Sequence, residues 1–190
     1  QQIRMRTDVE SAIVRFVYPN LPEIKPDQNG SHYATFSMSF DNPSGFRYSL
    51  YRSDGTYDHD DDGVQFGMNL HNNEDQYDYH FTTKQFKVFN ASDVPIDPWK
   101  YKSDLKIIVK FSGQSFKLTN TTTNTEWTYN KPSNGQDTII LDGIFTTLNG
   151  NPASANSDYG TISLATEWNG FTVDGADSVD ITFSFPFVYI

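Results

Sequence analysis

The sequence predicts an all-β fold: a single-domain antiparallel β-sandwich, jelly-roll-like in its organisation. Three observations carry that expectation. Apolar and polar residues alternate over most of the chain, as the period-two geometry of a half-buried strand requires. Aromatic residues dominate the apolar set, with 15 Phe and 11 Tyr, side chains that suit a pleated surface better than a helix. Turn-forming clusters recur about every eight to twelve residues, which implies about ten to twelve short strands. A chain of 190 residues is long enough to bury a sizeable core as one domain, spanning 1–190. Residues 1–31 form its N-terminal segment and the loop leading into the sandwich.

Taken in order, residues 8–18 admit two readings. Thr7-Asp8-Val9-Glu10 has the form of a helix capping box, with Val9, Ala12, Ile13, Phe16 and Val17 at helical spacing. The run from Ala12 to Tyr18 is also β-branched and aromatic, and passes as a strand. Pro19 is expected to end either one, and the segment from Pro19 to Ser31 reads as loop. Ala34, Phe36, Met38 and Phe40 then share one phase, and Phe46, Tyr48 and Leu50 resume it after the turn at Asp41–Gly45. That pattern predicts a hairpin with one wet face.

A second hairpin is expected to reverse around Asn73-Glu74, pairing Phe66 with Phe81, Met68 with Tyr79 and Leu70 with Tyr77 on one face. A slip of one residue would turn Asp78 and His80 inward. Leu105 to Thr119 reads as a third hairpin turned at Ser112-Gly113, with Val109 facing Phe116 and Ile107 facing Leu118. Further strands are expected at Glu126–Tyr129, Thr138–Thr146 and Gly160–Thr166, with a small-residue loop from Asn149 to Tyr159. Val179, Ile181, Phe183, Phe185, Phe187 and Tyr189 close the chain in one phase, with Pro186 opposed to them at an edge or a bulge. The linker Asn90–Ser103 is the expected passage between sheets.

Charge is unevenly distributed. The formal net charge is −10, and Ser53 to Thr83 holds eight carboxylates with no Lys or Arg, so this stretch supplies most of it. A pI near 4.6 excludes a nucleic-acid binder that works by displacing counterions with a basic stripe. Cysteine is absent, which excludes disulfides, thiolate metal sites and a Cys nucleophile. No run of about 18 apolar residues is present, so no helical membrane insertion is expected. The start, QQIRMRTDVES, lacks the apolar core of a signal peptide, and any such peptide is expected to have been removed.

The acidic stretch contains the one metal-like motif. Asp58-His59-Asp60-Asp61-Asp62-Gly63 matches the first half of a calcium loop, where alternate carboxylates face a hard cation and glycine permits the turn. The second half does not follow: the twelfth position is Asn69, and a strand is expected where an EF-hand has a helix. Asp54, Asp58, Asp60 and Asp62 are therefore the candidate ligands of a Ca²⁺ loop of the β-sandwich type, with a solvated acidic loop as the alternative.

Sugar C–H faces stack on exposed aromatic rings, which makes Trp99 and Trp168 platform candidates, with Tyr51 and Tyr57 beside the acidic loop. His71 and His80, near Asp75 and Asp78, are the polar candidates on the same surface, either as ordinary exposed residues or as a pair responsive to mild acid. Three N-x-S/T sequons (Asn29, Asn90, Asn120) fall at expected turns or strand ends. The hydrolase, zincin, P-loop and dinucleotide motifs are all missing, and only five Glu occur.

In general look the chain is similar to lectin-like and viral jelly-roll domains, a likeness of fold that does not fix function. The expectation is a non-enzymatic recognition module, extracellular or on a virion surface. It would bind a glycan or cell-surface receptor through loops at one end of the sandwich, with Ca²⁺ assisting. The alternative is a viral or phage structural protein (capsid, spike or fibre jelly-roll) working as a homo-oligomer. A jelly-roll glycoside hydrolase or lyase stands third.

Overall fold

The computed structural model describes residues 1–25, 28–30, 32–58, 63–70, 77–100 and 104–190, and of Tyr57 and Asp58 the backbone. Nearly all its regular structure is antiparallel strand, arranged as two packed sheets, so the chain is a β-sandwich. The smaller sheet has five strands: β1 (Ile3–Met5), β2 (Ile13–Asn20), β3 (Ser39–Asp41), β4 (Arg47–Arg52) and, from the far end of the chain, β14 (Pro186–Tyr189). Its order is β1-β2-β4-β14, with β3 also paired to β2.

The larger sheet is built on two long strands, β7 (Lys106–Asn120) and β13 (Glu167–Ser184), which pair along most of their length. The other edge of β7 is taken in turn by β10 (Ile139–Asp142), β9 (Ser133–Asn134) and β8 (Thr125–Tyr129). The other edge of β13 is taken by β6 (Gln85–Asn90) and β5 (His80–Phe81). β11 (Phe145–Leu148) and β12 (Asn151–Pro152) extend the sheet beyond β10.

Between the sheets lies one apolar cluster, in which Trp127, Phe111, Phe116, Phe183, Phe185, Phe187 and Tyr189 are almost wholly buried. The closing alternation is therefore a core-facing phase, as expected from sequence. It crosses from one sheet to the other: β13 ends at Ser184, Phe185 fills the corner, and β14 continues in the smaller sheet. Aromatic rings follow it edge to face, with Tyr79 and Phe187 each within 6 Å of Phe185 at 5.7 and 5.5 Å. Each fully buried Phe contributes about 1.5–3 kcal/mol by leaving water. Pro186 sits at a register irregularity in β14, where its missing N–H costs no ladder bond. Beyond β14, Ser92 Oγ accepts from Val188 N at 2.9 Å and Asp93 N donates to Val188 O at 2.9 Å, so this edge is capped.

Several expectations are corrected. Residues 13–20 are strand, and the Thr7–Glu10 box closes only a turn (Glu10 N to Thr7 Oγ1, 3.2 Å); β-branching outweighs the helical spacing. Pro19 lies within β2 rather than ending it.

The turn at Asp41–Gly45 forms, but its two arms do not pair with each other: β3 and β4 both pair with β2. In β4 the buried position is Ser49, whose hydroxyl donates to Tyr51 O at 2.6 Å and accepts from Phe187 N at 2.9 Å.

The second hairpin is absent from the described residues. Met68 and Tyr79 are buried but Phe66 is 98% exposed, residues 66–69 are turn, and β5 pairs with β13. The third is one continuous strand. A tight turn and a β-bulge both shift the inward phase by one residue, and here a bulge does so opposite β13. Gly113 is required there: at φ +142°, an added Cβ would stand 2.9 Å from the Ala176 Cα.

Thr138–Thr146 divides into β10 and β11 about Gly143, and Gly160–Thr166 forms only the bridge Leu164–Ile96. The linker after β6 returns to the same sheet; the change of sheet falls instead between β4 and β5 and at Phe185.

Candidate functional site

Two surface features stand out from the fold: an uncovered apolar region on the smaller sheet and an aromatic cleft at the start of β13. β2 alternates strictly at its centre, with Val17 buried and Phe16 and Tyr18 37% and 43% exposed on the opposite face. Tyr48 of β4 lies beside Phe16, ring centroids 5.5 Å apart and edge to face. Phe36, Met38 and Phe40 are also exposed, and the strand that carries Phe40, β3, pairs with β2. Among the described residues, ten of the sixteen large exposed apolar side chains fall within residues 1–40, so the exposed apolar surface is concentrated in the N-terminal quarter rather than scattered.

A groove of about 870 Å³ adjoins this region, between Val14, Phe16 and Tyr48 on one side and the β10–β11 turn at Asp142–Phe145 on the other. Arg52 lies at its end, held by Asp104 Oδ2 at 2.6 Å and Ser184 Oγ at 2.7 Å. Glu10 accepts from Arg15 at 2.6 Å and Arg47 at 3.0 Å, linking β2 to β4. The hydrogen bond from Arg15 holds the Glu10 carboxyl below its ordinary range; partial burial opposes this, and Arg47 adds to it.

The second feature is a cleft of about 640 Å³ lined by Asn69, Leu70, Tyr77, Phe89, Asp93 and Glu167, with Trp168 on its wall. Register places Trp168 opposite Phe89. Tyr77 stacks on Phe89 at 4.1 Å, and Trp168 meets both rings at a steep angle, at 5.6 and 5.1 Å. Trp168 remains 50% exposed.

The sequence-based candidates are thus dispersed. Trp168 is in the cleft. Tyr51 lines the groove, and so does Pro98, but Trp99 itself does not. Trp99 is 69% exposed and its indole N–H donates to Thr161 Oγ1 at 3.0 Å. His80 does not face Gly67 as the hairpin register required; its Nε2 lies 3.0 Å from Asp180 Oδ1 on β13. Asp54 accepts from Ser184 Oγ, which ties it to the sheet junction.

Tyr57 and Asp58 lie in the short 3-10 turn Ser53–Asp58. Their side chains, and the candidates His71, Asp60 and Asp62, lie outside the described residues, as does most of the calcium-like loop. Among the described residues no group of three His, Asp or Glu is placed to hold a metal ion.

Asn90 and Asn120, which the sequence marks only as sequons at turns or strand ends, are buried, as is Asn169, which sequence reasoning passed over; each is 1% exposed or less. Their signal was present: Asn120 and Asn169 occupy inward positions of strands whose inward neighbours are apolar. It also passed over Asp158. Burial alone would raise that carboxyl, but bonds donated by Thr128 N (3.0 Å) and Gly160 N (2.9 Å) outweigh it and hold the group below its ordinary range.

No protein-family model matches the chain, and no curated protein matches it. Among solved structures it is similar to the Dit protein of phage SPP1, described as a paradigm of the hub adsorption apparatus in phages that infect Gram-positive bacteria. The TM-score is 0.61 at 8% identity, over the whole of this chain and 65% of that one. The chain therefore spans just under two thirds of that protein's length, and at this identity the likeness establishes a shared fold.

Proposed function

We propose that this protein is a non-enzymatic structural component of a phage virion, assembling through its N-terminal quarter into the adsorption apparatus. The carrying observation is the uncovered apolar surface around Phe16, Tyr18 and Phe40 in a chain whose whole length shares the fold of Dit. A contiguous apolar surface costs free energy in water unless a partner covers it, and a repeated contact between copies of one chain does this most economically.

Charge supports a contact between unlike faces. Residues 1–52 carry six Lys and Arg against five Asp and Glu, whereas residues 53–190 carry eight against nineteen. A near-neutral apolar face meeting an acidic one avoids the repulsion that two acidic faces would suffer. Contacts of that head-to-tail kind close into rings when the rotation permits.

The test is light scattering on the full chain after size exclusion, with Phe16→Ser/Tyr18→Ser as the interface variant. A discrete oligomer that falls to monomer in the variant, with the circular dichroism unchanged, is the expected result. A wild-type protein monomeric up to about 100 μM, well above the micromolar range of specific assembly, would overturn the proposal.

A further inference from the structure

We infer that the cleft beside Trp168 is a binding site for a neutral pyranose sugar, independent of any assembly through the N-terminal quarter. The argument begins with how the cleft is held. β13 opens with Glu167 at φ +65°, a left-handed conformation that a glutamate adopts only under constraint. The constraint is a network of three buried asparagines. Asn169 Oδ1 accepts from Ala165 N at 2.9 Å and from Asn120 Nδ2 at 3.1 Å, while its Nδ2 donates to Ala165 O at 2.9 Å and Glu167 O at 3.1 Å. Asn90 Nδ2 donates to the same Ala165 carbonyl at 3.1 Å. A fully satisfied buried amide network of this kind is rigid. It forces residues 165–168 into the bend that brings Glu167 and Trp168 to the same cleft.

The exposed chemistry is that of a sugar platform. Tyr77 and Phe89 cover one another, leaving Trp168 as the most exposed ring of the cluster. Around it stand groups that mostly accept hydrogen bonds. The Glu167 carboxylate and the Trp168 indole N–H carry no hydrogen bond among the described residues. Asp93 is half engaged: Asn69 Nδ2 reaches its Oδ1 at 3.0 Å and Ile190 N its Oδ2 at 3.1 Å. A carboxylate has lone pairs beyond these.

A ring platform rimmed by acceptors suits a ligand with an apolar C–H face and many hydroxyl donors. Two carboxylates in the cleft, on a chain of net charge −10, disfavour a sugar acid. A quaternary ammonium needs several aromatic faces around it, and here two of the three rings are spent on each other.

The test is tryptophan fluorescence on the full chain, titrated into the millimolar range with glucose, galactose, N-acetylglucosamine and their β-linked trisaccharides, and with glucuronate and choline as competitors in chemistry. At least one neutral sugar should change the emission, and Trp99→Phe should leave that affinity unchanged. Glu167→Gly removes the carboxylate while relieving the backbone, so it should fold at least as well and bind roughly tenfold more weakly, the effect of losing one charged hydrogen bond. Trp168→Ala, which lacks the reporting indole and is therefore titrated by calorimetry, should abolish binding; undiminished binding in that variant overturns the inference. The inference is overturned if no neutral sugar in the panel binds, if Glu167→Gly binds like the wild type, or if glucuronate or choline binds as tightly as the best neutral sugar.

Discussion

Replacing Asn169 tests the network that shapes the cleft, and its cost can be worked from the hydrogen bonds. The side chain is fully buried and uses all four of its hydrogen-bonding positions, at 2.9 to 3.1 Å. Asn169→Ala leaves Ala165 N with no partner among the described residues and takes one donor from Glu167 O, whose residue also pairs with Asn90 in the ladder. Two others keep one bond each: Ala165 O retains Asn90, and Asn120 Nδ2 retains Ser163 O at 2.8 Å. At about 1 kcal/mol per lost bond, with up to about 3 for a buried group left unpaired, the expected loss is about 3–5 kcal/mol. That is a large share of a typical total stability of about 5–15 kcal/mol. Urea unfolding should show a midpoint lowered by about 2 M for a slope near 2 kcal/mol per M, and thermal unfolding a fall on the order of 10 °C.

Asn169→Asp sharpens the test. Its carboxylate would face the carbonyls of Ala165 and Glu167, acceptor against acceptor. Only the protonated acid can donate there, so the fold would raise this carboxyl above its unfolded value, and the variant should gain stability as pH falls. A loss under about 1 kcal/mol in Asn169→Ala, or an Asn169→Asp variant with the pH slope of the wild type, would refute the reasoning.

Three further outcomes are expected. Glu167→Gly should raise stability by about 1 kcal/mol, since glycine occupies a left-handed position without the Cβ penalty, measurable as a higher urea midpoint. Gly160→Ala should be severely destabilising. An added Cβ would lie 2.2 Å from Glu126 O and 3.0 Å from Trp127 Cα, both backbone atoms that cannot rotate away, and overpacking of this kind costs about 1–3 kcal/mol or more. Acid should weaken the fold through Glu10 and Asp158. Both folded values lie below the ordinary 4.5 and 3.8, so each contribution is complete above the ordinary value and is lost as pH falls through the lowered one. Glu10→Gln should flatten that part of a stability–pH curve measured by urea unfolding.

The sequence by itself determined the fold class, the closing core-facing strand and the turn at Asp41–Gly45, because each rests on local chemistry: side-chain period, β-branching and turn residues. It also marked Trp168 as an exposed aromatic residue at a strand end. Partnership was decided only by the tertiary structure. The phase change between Phe111 and Phe116 has the same imprint whether the chain turns or bulges, and only the presence of β13 alongside selects the bulge.

Likewise, the alternation through Phe36, Met38 and Phe40 assigns a face but not a cover, and in the fold these side chains stay exposed. The cleft was hidden for a related reason. Asn90, Asn120 and Asn169 are far apart in sequence, and a buried amide differs from an exposed one only in what surrounds it. Periodicity is written along the chain; register and covering are set by contacts between distant segments, and those contacts place Glu167 and Trp168 in one cleft.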